Sequence, residues 1–370
     1  MNLIQIFRKK GENMAGTWET QNKILPGAYF NFKTNAPLSI TPGERGIVVL
    51  LQEMSVGDAG DMYTVTARGD DYPVGVTDED KLLANEALKG ARTVIVYNLG
   101  RHVEEGPEEG TKEHEEVLNE ALAKLMTVEF NVLVYPYDGK TYDGNKDVIK
   151  AFVEMMRSEE GVSIQSVLAN YDADSEAIIN VTQGVKLSNN TALTPAQCTA
   201  WVGGVTAGAS ITKANTNQRY IGAIDVEPRM TKTEMENAIT AGEFIFKVDS
   251  AQNVTAVSDI NSLTTITEEK GKRFQKNRII RVLDGINNDV TVIFESNYVG
   301  KSDNTTDGRS RLRAILVEYF NELQKIGAIQ NFVAEDVTVS PGKDSDAVVI
   351  DCYIQPVDAI EKIYTTVNLQ

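Results

Sequence analysis

The sequence predicts an α/β fold, in which a largely parallel sheet flanked by helices is joined to a C-terminal third of different character. Three observations predict it. Between about residues 80 and 212, short aliphatic runs alternate with segments of helical apolar spacing. After about residue 260 that alternation stops, and longer amphipathic segments with a basic run take over. Charge divides in a similar way: residues 36–244 hold 33 acidic but only 17 basic groups, and the remainder of the chain is nearly neutral.

Taken in order, residues 1–16 place an apolar patch before Arg8, Lys9 and Lys10, the reverse of a secretory signal. They are read as a disordered or helical leader, with Met14 as an alternative start. Leu25-Pro26-Gly27 signals a turn, and 28–33 alternates as a strand, with Ala28, Phe30 and Phe32 on one face. Gly46 opens a buried strand over 46–51. Helices are expected over 80–90, 113–127, 145–157 and 198–209, and strands over 93–97, 131–135 and 162–168, which implies parallel pairing. Farther on, 268–287 reads as a basic helix, 291–298 as a strand and 303–308 as a polar turn. Over 309–326, Leu312, Ile315, Leu316, Tyr319, Phe320, Leu323 and Ile326 fall on one helical stripe that Gly327 stops. Residues 348–354 alternate as a strand, and so do Ile363, Thr365, Val367 and Leu369 in the tail.

Composition excludes several classes. A net charge of −17 repels nucleic acid. The chain has no run of eighteen apolar residues, so no membrane helix is expected. The two cysteines, Cys198 and Cys352, read as buried free thiols, and two histidines cannot make a His-rich metal site. No P-loop, G-x-S-x-G, H-E-x-x-H or C-x-x-C occurs. The glycines of 203–208 sit inside an expected helix, where they allow close packing. The glutamates of 104–116 read as a solvated acidic loop entering a helix N-terminus. No cofactor or metal is expected. An α/β enzyme of unknown substrate would need a ligand loop after a strand. The stretches after Tyr97 and Tyr135 offer only Asn98-Leu99-Gly100-Arg101 and Pro136-Tyr137-Asp138-Gly139.

Two features do point outward. Lys270, Lys272, Arg273, Lys276, Arg278 and Arg281 form a run of cations with no acid between them, and Arg309, Arg311 and Arg313 crowd the start of a helix, against its dipole. Both chain ends read as strands on turns. Bare strand edges of that kind pair with other chains.

The block 260–332 carries a resemblance. Asn261-Ser262-Leu263-Thr264, the Phe274, Lys276, Arg278, Ile279 pattern, Tyr298-Val299-Gly300-Lys301 and the helix over 309–329 together resemble phage tail sheath proteins, in particular the short sheaths of Gram-positive myophages, defective prophages and phage-tail-like bacteriocins. Leu25-Pro26-Gly27-Ala28-Tyr29 resembles the family's R-P-G-V/F-Y opening, with Leu25 in place of a basic residue. Residues 226–242 also resemble the family.

The resemblance implies a non-enzymatic subunit that polymerises as stacked hexameric rings around a tail tube and contracts. It implies an α+β inner domain, 17–35 plus 245–370, into which an outer acidic α/β domain, 36–244, is inserted. Terminal arms would add strands to neighbouring subunits, through Ala28, Phe30, Phe32, Ile363, Thr365, Val367 and Leu369. Partners would be further copies of the chain, the tail tube protein, and baseplate and tail terminator proteins. The subunit would belong to a virion tail assembled in the host cytoplasm. Lys276, Arg278, Arg281, Arg309, Arg311 and Arg313 are the tube-contact candidates, because exposed polar pairs suit a grip that must release.

Overall fold

The computed structural model describes residues 45–100 and 114–369, apart from the side chains of Ser296 and Asn297. The leader, the arm candidates Ala28, Phe30 and Phe32, and most of the 104–116 stretch lie outside the described residues.

Strand β1 (Ile47–Gln52) is an unbroken aliphatic run, as expected of a strand covered on both faces. It lies at the centre of an eight-stranded sheet. On one side it pairs in parallel with β4 (Thr93–Asn98), which borders the antiparallel edge hairpin β2 (Met62–Thr66) and β3 (Gly69–Asp70). On the other side β5 (Val132–Val134), β6 (Gln165–Ala169), β7 (Ile178–Val181) and β11 (Glu243–Phe244) follow in parallel. Successive side chains point to opposite faces. Val48, Leu50, Val94, Val96, Val132 and Val134 therefore pack under α1 (Asp78–Leu88) and α4 (Pro195–Gly208). Val49, Leu51, Tyr97 and Leu133 pack under α2 (His114–Leu125) and α3 (Asp143–Met155). The α/β expectation holds, with strand and helix bounds shifted by a few residues.

The glycine run is a packing device. A Cβ on Gly204 would lie 2.0 Å from the Ala87 carbonyl oxygen, and one on Gly208 would lie 1.8 Å from that of Gly90. Only glycine lets α4 approach α1 this closely.

A small antiparallel layer extends the sheet domain. It comprises β8 (Gly184–Leu187), β9 (Ala192–Leu193) and β10 (Ala223–Glu227), then α5 (Lys232–Thr240) and the hairpin β12 (Phe246–Val248)–β13 (Val254–Ala256). Phe246, Val254 and Ala256 are buried in the same cluster as the sheet. The third cluster begins, apart from Ile211, at Leu263. The packing boundary thus falls near 257–263, beyond the expected 244/245 division, because β12 and β13 find their apolar partners on the sheet domain.

In the C-terminal domain, α6 (Asn277–Asn297) and α7 (Thr306–Lys325) bury Ile280, Leu283, Ile286, Leu316, Phe320 and Leu323. They pack with the pairs β14 (Ile329–Gln330)–β17 (Gln355–Pro356) and β15 (Val337–Pro341)–β16 (Val348–Cys352). The expected strand over 291–298 is overturned, since α6 runs through Asn297. Thr291-Val292-Ile293-Phe294 has strand-forming residue types. However, Ile279, Leu283, Ile286, Val290 and Ile293 continue one helical stripe, and burial of that stripe overrides local propensity. The helix also begins at Asn277, not 268. Residues 272–275 form a single 3-10 turn before it. Cys198 and Cys352 are both buried free thiols in different clusters.

Candidate assembly surfaces

The Asn261-Ser262-Leu263-Thr264 segment staples the two domains together. The Ser262 amide donates to the Ile178 carbonyl at 2.8 Å, and its hydroxyl donates to Ser175 O at 3.1 Å. Asn261 Nδ2 donates to Phe274 O at 2.7 Å. The amides of Thr264 and Thr265 both donate to Asp174 Oδ1, at 2.7 and 2.8 Å. Hydrogen bonds from Thr265 and Thr264 hold the Asp174 carboxyl well below the usual carboxylate range. Alongside, Asn287 and Asn288 reach Gly161 O and Ser163 O at 2.6 and 2.9 Å. Arg157 pairs with Asp284 at 2.7 Å; burial acts to lower its pKa, but the charge and hydrogen bond of Asp284 together with the Glu176 charge raise it overall.

Arg281 belongs to this junction and not to the outer surface. It is fully buried, 2.5 Å from Asp259 Oδ2, and it donates to Lys213 O at 2.8 Å. Asp259 also accepts from the Asn215 amide at 2.8 Å and from Asn277 Nδ2 at 3.1 Å. The tube-contact expectation for Arg281 is therefore corrected: its carboxylate partner lies 22 residues away, beyond the local charge pattern.

The other five candidates do not form one exposed face. Lys276 pairs with Glu361. Arg278 is half-buried; burial lowers its pKa, with Asp358 acting in opposition. Arg309 donates through Nη1 to Asn304 O and Oδ1, at 3.1 and 2.9 Å. Arg313 donates through Nε to Val337 O at 2.8 Å and through Nη2 to Ala334 O. Arg309 and Arg313 thus pin loops of their own subunit to α7, which accounts for cations near that helix start without an external partner. Of the six candidates, Arg311 alone is exposed, the others being half-buried or buried.

The C-terminal segment behaves differently. Its root is fixed by β17 and by the Val357 amide, which donates to Ala328 O at 3.0 Å. Among the described residues no backbone hydrogen bond ties down the chain beyond that point except a local turn at Ala359. Ile363, Tyr364, Val367 and Leu369 are 82, 90, 77 and 95% exposed. The expected strand over 363–369 is not found among the described residues. An exposed segment of alternating apolar residues with no strand partner among the described residues suits a strand-donating arm.

The enzyme alternative can be weighed at one place. In a doubly wound sheet, ligands enter beyond the strand C-termini where strand order reverses, here between β1 and β5. That position is packed with side chains. Tyr135 and Tyr137 have ring centroids 4.8 Å apart, with Tyr142 5.2 Å from Tyr137. Tyr137 Oη accepts from the Glu53 amide at 2.6 Å, and His114 Nε2 lies 2.9 Å from Tyr135 Oη. No group of acidic, histidine or cysteine side chains among the described residues could hold a metal ion. Nor is any described helix long and apolar enough to cross a membrane.

Sequence and structure comparisons agree with this architecture. Residues 45–99 match the tail sheath protein Gp18 domain III N-terminal region, 112–262 the phage tail sheath protein central domain, and 269–370 the phage tail sheath C-terminal domain. The crystal structure of a sheath tail protein from Desulfitobacterium hafniense is 34% identical, with a TM-score of 0.75 over 93% of this chain and 100% of that one. The phage-like element PBSX protein XkdK of Bacillus subtilis is 31% identical over 96% of this chain and 99% of its own. The anti-feeding prophage helical sheath in its contracted state shares the fold, with a TM-score of 0.67 at 16% identity over 94% of this chain and 100% of that one. With three consecutive sheath segments in order along the chain, and a full-length sheath relative at more than 30% identity, this chain belongs to the phage tail sheath protein family.

Proposed function

We propose that this subunit polymerises as stacked hexameric rings around a tail tube and drives the tube through a cell envelope by contraction. The observation that carries the proposal is the C-terminal segment beyond Lys362, which exposes Ile363, Tyr364, Val367 and Leu369 and joins no strand among the described residues. Such a segment is costly on a monomer and stabilising once a neighbour's sheet edge receives it. The near-neutral C-terminal domain faces the tube and the acidic sheet domain faces outward. Arg311 is the tube-contact residue retained from the basic candidates. Contraction needs no nucleotide, because larger contacts between subunits in the short state drive it. Baseplate and terminator proteins close the two ends of the polymer, and assembly takes place in the host cytoplasm.

Negative-stain microscopy of the purified chain at rising concentration tests this. Hollow tubes are expected, in the contracted form when no tail tube is present. A species that remains monomeric by light scattering at high concentration would contradict it.

A further inference from the structure

We propose that Glu361 is a clasp, gripped by both domains at once, that sets the point and direction at which the C-terminal arm leaves the subunit. This rests on the reading of residues 363–369 as a strand-donating arm. The Glu361 side chain is only 16% exposed, whereas Ile363, two residues later, is 82% exposed. The chain therefore passes from held to free across one residue, Lys362.

The grip has two sources. Glu361 Oε1 accepts from Thr216 Oγ1 at 2.6 Å, and Thr216 sits in the sheet-domain loop between α4 and β10. Glu361 Oε2 takes the Lys276 ammonium, at the N-cap of α6 in the C-terminal domain. Thr216 Oγ1 also accepts from the Asp259 amide at 3.0 Å, so the clasp shares a hub with the buried junction. Arg278 and Asp358 stand beside it, giving two cations and two carboxylates at the arm's root.

Lys276, one of the tube-contact candidates, thus has a defined task inside the subunit. A charged group that bonds two domains keeps its geometry only while the domains keep theirs. Displacing one domain against the other would open the clasp and re-aim the arm.

The test is a charge swap on the full chain, with the critical concentration for polymerisation read by light scattering. Glu361→Lys and Lys276→Glu should each raise it about tenfold, the scale of a charged hydrogen-bonded contact, while leaving the far-UV circular dichroism unchanged. The double swap should return it to near the wild-type value, which a merely structural defect would not do. Glu361→Gln, which keeps the Thr216 bond, should fall between. Wild-type assembly of Glu361→Lys, or no rescue by the double swap, would overturn the clasp. A chain ending at Lys362, run in parallel, separates the two claims. If it polymerises, the arm reading itself fails; if it does not and Glu361→Lys assembles normally, only the clasp fails.

Discussion

Replacing Asp259 by alanine is expected to destabilise the subunit by about 4 kcal/mol, the scale for removing one member of a buried ion pair. The loss has three parts. Arg281 would keep its charge at zero exposure with only Lys213 O as a partner, since its Nε and Nη1 make no hydrogen bond. The Asn215 amide would lose its acceptor, as would one donor of Asn277. Urea unfolding would show a lower midpoint at unchanged slope. Replacing the pair together, Asp259→Leu with Arg281→Met, should recover the part due to the stranded Arg281 charge, because apolar residues of similar volume can fill such a site at little net cost, while the Asn215 and Asn277 donors stay without that acceptor. If Asp259→Ala unfolds at the wild-type midpoint, the junction is not held as described.

Ending the chain after Lys362 is expected to leave a folded monomer that does not polymerise. The arm contributes no buried residue to its own subunit, so the unfolding free energy should stay within about 0.5 kcal/mol of the full chain. Seated on a neighbour, Ile363, Val367 and Leu369 would each bury apolar surface worth about 1.5–3 kcal/mol. Losing even part of that should raise the critical concentration by a hundredfold or so, at about 1.4 kcal/mol per tenfold. Sedimentation of the truncated chain at concentrations where the full chain forms tubes checks this.

The sequence made the parallel layer legible because β1, β4 and β5 are buried on both faces and are written as aliphatic runs between helices of clear period. The strands between Ile178 and Ala256 are not legible in the sequence, because they are two to five residues long and take their pattern from packing in the cluster of Trp201, Tyr220 and Phe246, whereas the alternation of 348–354 does appear as β16. The 291–298 segment reads as a strand from its β-branched residue types, yet it is helical because the apolar stripe continues unbroken from Ile279. Charge misled in a similar way. Nine cations on two segments looked like one surface, but Lys270 pairs with Glu176, Lys276 with Glu361 and Arg281 with Asp259. Those partners are 94, 85 and 22 residues distant, so no local count could find them. The alternation of Ile363, Thr365, Val367 and Leu369 is local and so visible in the sequence, and among the described residues no strand partner for it appears.

The central claim is that this arm joins one subunit to another. A photo-crosslinking amino acid at position 367, in tubes grown from equal parts of isotopically light and heavy subunits, tests it most directly. The account predicts cross-linked peptide pairs in which light and heavy chains are mixed, with the arm joined to another copy's C-terminal domain. Links found only within single chains, all light or all heavy, would contradict it.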